Sequence, residues 1–358
     1  MRGELHCGGL VQSKKQQKSN GGYIVGPKYD IIFFIGSPLV AVAMVLGVSA
    51  LSEFGVSGSE SVKNIFFSVL TAFVFAHLFN VVFRSYGNRK IFSQFRLRFI
   101  AVPLCLIAVM TWSSLILAVA MSIAVLWLVY HTAMQTFGLG RLYDIRAGNS
   151  SHIGRGPDVI INLLICCGPL LAGGIVLVDF FDEVGQIGAV QNSDWFQSIS
   201  SHVLQHKKSM FLLPVGIISL LITAYYIYAN WRLYKKGYNI SWQKVTLLVT
   251  TAYGSIFVWL GETSLFASYL IYEFFHAAQY FAIVWFYEKK NIQALCLKRL
   301  GTDKIALLFY LMIAVIAGSF YLLASGAGQF LIAILVTVEL MHYWWDGFIW
   351  SVQKKQIS

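Results

Sequence analysis

Four histidines of this 358-residue chain, His77, His131, His276 and His342, fall inside runs otherwise apolar enough to cross a membrane. Imidazole is a hydrogen-bonding base and the commonest protein ligand for transition metals. An ionisable side chain at the depth of a bilayer needs a partner, a metal or water. Two of the histidines share one setting. IYEFFHAAQY places Glu273, His276 and Tyr280 at i, i+3 and i+7, and VTVELMHYWWDGFIW places Glu339, His342 and Asp346 at the same offsets. These offsets stack three side chains on one helical face. His77 is followed by Asn80 at i+3 and Arg84 at i+7, and His131 by Gln135 at i+4.

Two Glu-x-x-His pairs on separate helices is how carboxylate-bridged di-metal bundles present their ligands. Depth points the same way. The histidines precede the basic residues Arg89, Arg141, Lys289 and Lys354 by 12, 10, 13 and 12 positions. At helical rise these gaps are about 15–20 Å, which puts the four imidazoles at one level. The expectation is a single pocket with His77, His131, His276 and His342 as metal ligands. Glu273 and Glu339 are expected as ligands or bridges and as the catalytic carboxylates. Asn80, Arg84, Gln135, Tyr280 and Asp346 are expected around them, where hydrogen bonds orient ligands. For Asp346, an ion pair to Arg84 or Arg141 is favoured over a bond to the His342 ring.

Imidazole and carboxylate donors suit iron, zinc or manganese. One or two iron ions are expected, because a site deep in lipid suits oxygen and apolar substrates. The function expected is a non-haem metal enzyme oxidising a lipid-soluble small molecule, with an electron donor left open. Four alternatives stand beside it. Haem could be held by histidine pairs for electron transfer. The His/Glu network could serve a proton-coupled transporter. Zinc could serve a hydrolase, although HExxH is absent. The polar groups could also form a structural network, with Glu273 and Glu339 paired to Arg84 or to a protonated histidine.

Such residues need a membrane bundle to position them, and the composition supplies one. Hydrophobic residues make up 57% of the chain and charged ones 12%, against about 25% charged in soluble domains; the mean hydropathy is +0.67. Apolar segments near 31–51, 64–83, 97–113, 115–138, 158–178, 209–230, 245–261, 263–287, 305–323 and 328–350 predict an all-α polytopic bundle of about ten transmembrane helices. The runs 97–140 and 245–287 are too long for one span and split at Trp112-Ser113-Ser114 and at Gly261-Glu262. Residues 1–28 read as a disordered cytoplasmic tail, and 29–358 as one transmembrane domain. With both termini inside, only Lys63, Lys207 and Lys208 of the 27 basic residues lie in outer loops. This bias predicts a multi-pass protein of a bacterial inner membrane, and it assigns the formal charge of +11 to topology rather than to nucleic acid. His202 and His206, at i and i+4 in the outer segment 179–208, lack a third ligand and read as surface. The five cysteines have no metal spacing, and Cys105, Cys166 and Cys167, which fall in apolar segments, read as packing residues.

The segments YDIIFFIGSPL, HLFNVVFRSY, YHTAMQTFGLGRLYD, HAAQYFAIVWFYEKK and HYWWDGFIW resemble, in that order, an uncharacterised family of multi-pass bacterial membrane proteins. That resemblance covers most of the chain and implies no activity. The architecture of the site is remotely similar to that of bacterial membrane-bound β-carotene dioxygenases. The resemblance implies iron held by histidines from separate helices, and no particular substrate. The HxxxH and HxxHH boxes of membrane desaturases are absent from the spans.

Overall fold

A computed structural model describes residues 21–53, 59–173, 194–260, 264–295, 302–324 and 328–350. Among these residues, eleven α-helices follow a short helical lead-in, Pro27–Asp30 with the π-turn Ile31–Ile35. They are α1 (Ser37–Glu53), α2 (Ser59–Phe79), α3 (Val81–Ser85), α4 (Arg89–Trp112), α5 (Ser114–Arg146) and α6 (Arg155–Gly173). They continue with α7 (Asp194–Lys235), α8 (Trp242–Leu260), α9 (Leu265–Leu295), α10 (Asp303–Ala324) and α11 (Gln329–Ile349). No strand occurs among the described residues. Small polar residues start several helices by accepting an otherwise orphaned amide. Ser113 Oγ accepts from Ile116 N at 3.3 Å, Asn88 Oδ1 from Ile91 N at 3.3 Å and Ser241 Oγ from Lys244 N at 3.3 Å. The break at Ser113 lies within the expected Trp112-Ser113-Ser114 turn. The second expected break, Gly261-Glu262, lies outside the described residues, as do residues 1–20 of the expected tail 1–28, residues 179–193 of the expected outer segment 179–208 and the side chains of His202 and His206; residues 21–28 of that tail are ordered.

Each of the ten expected segments falls on a helix, but the count of spans is smaller. Among the described residues, seven helices are long and apolar enough to cross a membrane, and an eighth is added if the lead-in and α1, bent by 47°, form one span. α8 and α9 fall below that threshold. Their polar residues face inward: Lys244, Thr250, Thr251 and Ser255 of α8 are buried, and so are Glu273, His276 and Gln279 of α9. Residues that build an interior thus lower the hydropathy by which a span is recognised. The chain is a multi-pass helical membrane protein by the remaining seven or eight helices.

α2, α5, α9 and α11 form the centre. α2 packs on α9 and α11, and α5 packs on α9 and α11. α9 and α11 therefore face each other across the middle, and so do α2 and α5. α10 covers α2, α4 covers α11, and α6 separates α5 from α7. α7 turns its apolar residues outward along Leu212–Lys235. On α9, Leu270, Ile271, Tyr272 and Phe275 belong to one hydrophobic cluster, and Tyr280, Ile283 and Val284 to another. His276 sits at the junction.

Buried ion pairs fasten one end of the bundle. Arg141 Nη1 bonds Asp144 at 2.7 Å and Asp158 at 2.6 Å, and Lys244 Nζ bonds the same two carboxylates at 2.9 and 3.2 Å. Two cations and two anions balance, and they tie α5, α6 and α8 together. Nearby, Asp30 accepts the amides of Ile24, Val25 and Gly26 at 2.7, 3.1 and 3.2 Å, which folds the segment before the lead-in onto the bundle.

Candidate metal centre

The four central helices each contribute one histidine. His77 comes from α2, His131 from α5, His276 from α9 and His342 from α11, and all four are buried. Their rings follow the packing order of the helices. Centroids are 5.0 Å apart for His77–His276, 4.9 Å for His276–His131, 4.8 Å for His131–His342 and 5.0 Å for His342–His77. Across the ring, His276 and His342 are 6.2 Å apart. Two imidazoles bound to one ion through bonds of about 2.0–2.1 Å place their centroids about 4.5 Å apart at a right angle and about 5.2 Å apart at the tetrahedral angle. The four neighbouring pairs fall in that interval.

The nitrogen atoms carry the chemistry. His77 Nδ1 meets the Val74 carbonyl one turn back. A carbonyl only accepts, so the proton is on Nδ1 and the lone pair is on Nε2. That Nε2 is buried without a hydrogen-bond partner, as are both ring nitrogens of His276 and Nδ1 of His342. His131 Nε2 and His342 Nε2 lie 3.1 Å apart. Buried polar atoms are rarely left unmatched, because each loses its water without compensation. Converging imidazole nitrogens, most of them without a hydrogen-bond partner and two facing each other at 3.1 Å, are suited to a shared cation. Ligand atoms of His77, His276 and His342 lie within 4.8 Å of one another, and so do those of His131, His342 and Asp346. His342 belongs to both groups.

Asp346 departs from expectation. Its Oδ2 is 3.8 Å from His131 Nε2 and 3.9 Å from His342 Nε2. Its Oδ1 accepts from the Tyr280 hydroxyl at 2.9 Å and the Trp350 indole at 3.0 Å. Arg84 instead pairs with Glu288 and donates to the Ile349 carbonyl from Nε at 3.1 Å and Nη2 at 3.0 Å. Its guanidinium lies over the Trp350 ring at 3.9 Å. Arg141 is held by Asp144 and Asp158. The expected ion pair to Arg84 or Arg141 gives way because both arginines have nearer carboxylates: Asp144 stands at i+3 from Arg141 on the same helix, whereas Glu288 and Asp158 come from other helices and are not visible as partners from helical spacing.

The other expected residues divide. Tyr280 joins the site through Asp346, with its ring 4.5 Å from that of His342. Gln135 ties α5 to α9, donating to the His276 carbonyl at 3.0 Å and to Gln279 Oε1 at 3.1 Å rather than to a ring. Gln279 in turn donates to the Phe34 carbonyl at 2.9 Å, linking the π-turn to the site helix. Asn80, where α2 ends, is buried with neither side-chain polar atom bonded. Glu273 and Glu339 stand one turn N-terminal of His276 and His342 and fall outside both ligand groups. Glu273 Oε1 accepts from Thr132 at 3.2 Å while Oε2 is buried and unmatched. Glu339 accepts from Tyr343 at 2.7 Å. Thr132, Glu288 and Trp350 carry contacts that the sequence reading left out. Thr132 adjoins His131, which could have drawn notice, whereas Glu288 and Trp350 sit among interfacial residues with no periodic signal.

The arrangement can bind a cation through neutral nitrogens, balance part of its charge with one carboxylate, and exclude bulk water. Comparison with protein-family models, with curated proteins and with solved structures finds no match, so that no family is identified for the chain.

Proposed function

We propose that this is a membrane enzyme in which His77, His131, His276 and His342 hold one non-haem iron ion that oxidises a lipid-soluble substrate. The closed ring of four buried imidazoles, with adjacent centroids 4.8–5.0 Å apart, carries the reading. Neutral imidazoles suit iron, copper, nickel or zinc. Iron is favoured because dioxygen and apolar molecules both concentrate in the bilayer, where an oxidative centre meets them without water. Bound iron would supply the redox chemistry. The chain's own residues orient and insulate it: Val74 fixes the His77 tautomer, and Gln135 and Gln279 hold the α5–α9 seam. The position of Glu273 and Glu339 outside the ligand groups favours one ion over two and makes them proton-handling groups beside the centre. The reading extends to about ten crossings, α8 and α9 included, with both termini in the cytoplasm of a bacterial inner membrane.

Elemental analysis of the purified full chain, with its optical spectrum, tests this. The expected result is close to one iron per chain with no haem Soret band, and loss of that iron in His276→Ala and His342→Ala. A protein that folds and carries no transition metal, or carries haem, would overturn it.

A further inference from the structure

We propose that Asp346 is itself a metal ligand, so that the centre offers four nitrogens and one oxygen and keeps an open position on the side of Glu273 and Glu339. The proposal rests on the metal reading above and adds to it the donor set and the side from which a small ligand approaches.

Three observations support it. First, Asp346 Oδ2 lies 3.8 and 3.9 Å from the two Nε2 atoms that are themselves 3.1 Å apart. These separations are too long for hydrogen bonds. Donors sharing one ion lie about 3.0–3.4 Å apart for bonds of about 2.0–2.1 Å, so a small inward shift of one carboxylate completes the set. Second, the carboxylate is already oriented. Tyr280 and Trp350 both donate to Oδ1, which turns Oδ2 toward the imidazoles. Hydrogen bonds of this kind fix a ligating carboxylate. Third, four neutral imidazoles would leave a divalent ion with its whole charge buried in a membrane. One carboxylate halves that charge, and Asp346 is the carboxylate grouped with imidazoles, those of His131 and His342, among the described residues.

The two faces of the imidazole layer then differ. Asp346 is one turn C-terminal of His342, and Tyr280 one turn C-terminal of His276; their hydrogen bond closes that face. On the N-terminal face stands Glu273, fully buried, with Oε2 lacking a donor. A small protic ligand entering the open sixth position would supply that donor.

Cobalt(II) loaded into the purified full chain reads this directly, with azide as the probe ligand. The wild type is expected to show the weak visible bands of a five-coordinate ion and to bind one azide. Asp346→Ala is expected to bind two azides and to lose affinity for cobalt at least 10-fold. Tyr280→Phe keeps the carboxylate and removes one of its orienting donors, and it is expected to shift the cobalt bands and weaken cobalt about 10–100-fold. A four-coordinate wild-type spectrum, or a Tyr280→Phe protein with unchanged bands and affinity, would remove Asp346 from the ligand set while leaving the four-histidine centre standing. If the wild type takes up no cobalt, the centre itself falls.

Discussion

Arg84 shows how much one residue can hold. Its guanidinium is shared between Glu288 of α9 and the carbonyl of Ile349 at the end of α11, and it stacks on Trp350. Two of the helices that carry site histidines, α9 and α11, therefore meet α3 at one cation. Both partners of the Arg84–Glu288 pair are buried, and removing one leaves the other as an uncompensated charge, which typically destabilises by about 3–5 kcal/mol. Arg84→Gln is expected to lower stability by that order in a detergent unfolding titration, and adding Glu288→Gln should recover a good part of it. Equal losses in the single and double variants would show that the pair is not coupled. At this scale the sequence was legible where a residue type was anomalous in its setting. A histidine or glutamate in hydrocarbon announces itself, and the four histidines do meet. Partner choice was not legible, because Arg84 and Glu288 are 204 positions apart, and only the packing of α3 on α9 brings them together.

Helices meet where side chains allow, and α10 reaches α2 through a missing one. A Cβ added at Gly318 would lie 3.1 Å from Ala72 Cα and strike the Ala72 carbonyl. Backbone cannot retreat as a flexible side-chain end can, so Gly318→Ala must separate the two helices. The expected loss is about 1–3 kcal/mol, typical of overpacking, read as a lower melting temperature. Because α2 carries His77, bound metal should weaken as well. A variant with unchanged melting would mean that the crossing is looser than described. The extents of helices were readable from apolar runs and small capping residues: the break at Ser113 follows from Trp112-Ser113-Ser114. α5 nonetheless continues past the expected 138 to Arg146. Its extra turns are sustained by Arg141 and Asp144, whose charges look like loop residues until Asp158 and Lys244 are placed against them.

Seen entire, the molecule separates an apolar exterior from a polar axis. Leu213, Leu220, Leu221 and Leu323 are exposed, as are Trp112, Trp231 and Trp242 at helix ends, where indoles settle at membrane–water boundaries. Ser113 and Ser150 flank the two ends of α5, whose 33 residues span about 50 Å. Cysteines placed singly at these positions in a chain cleared of native cysteines should react differently with an impermeant maleimide in intact cells, Ser113→Cys labelled and Ser150→Cys protected. Labelling of both from outside would overturn the orientation drawn from the basic loops. The charge bias predicts sidedness because it acts loop by loop, whereas the order of helices around the site depends on contacts between distant segments. That order also has a consequence in time. His131 and His342, whose nitrogens approach to 3.1 Å, are 211 positions apart, and α11 is made after every other site helix. A growing chain has three of the imidazoles and neither His342 nor Asp346 until α11 has been made. A metal held by the whole ring is therefore bound only once α11 has joined the other three site helices, and α11 is the piece whose insertion turns an open bundle into one able to be loaded.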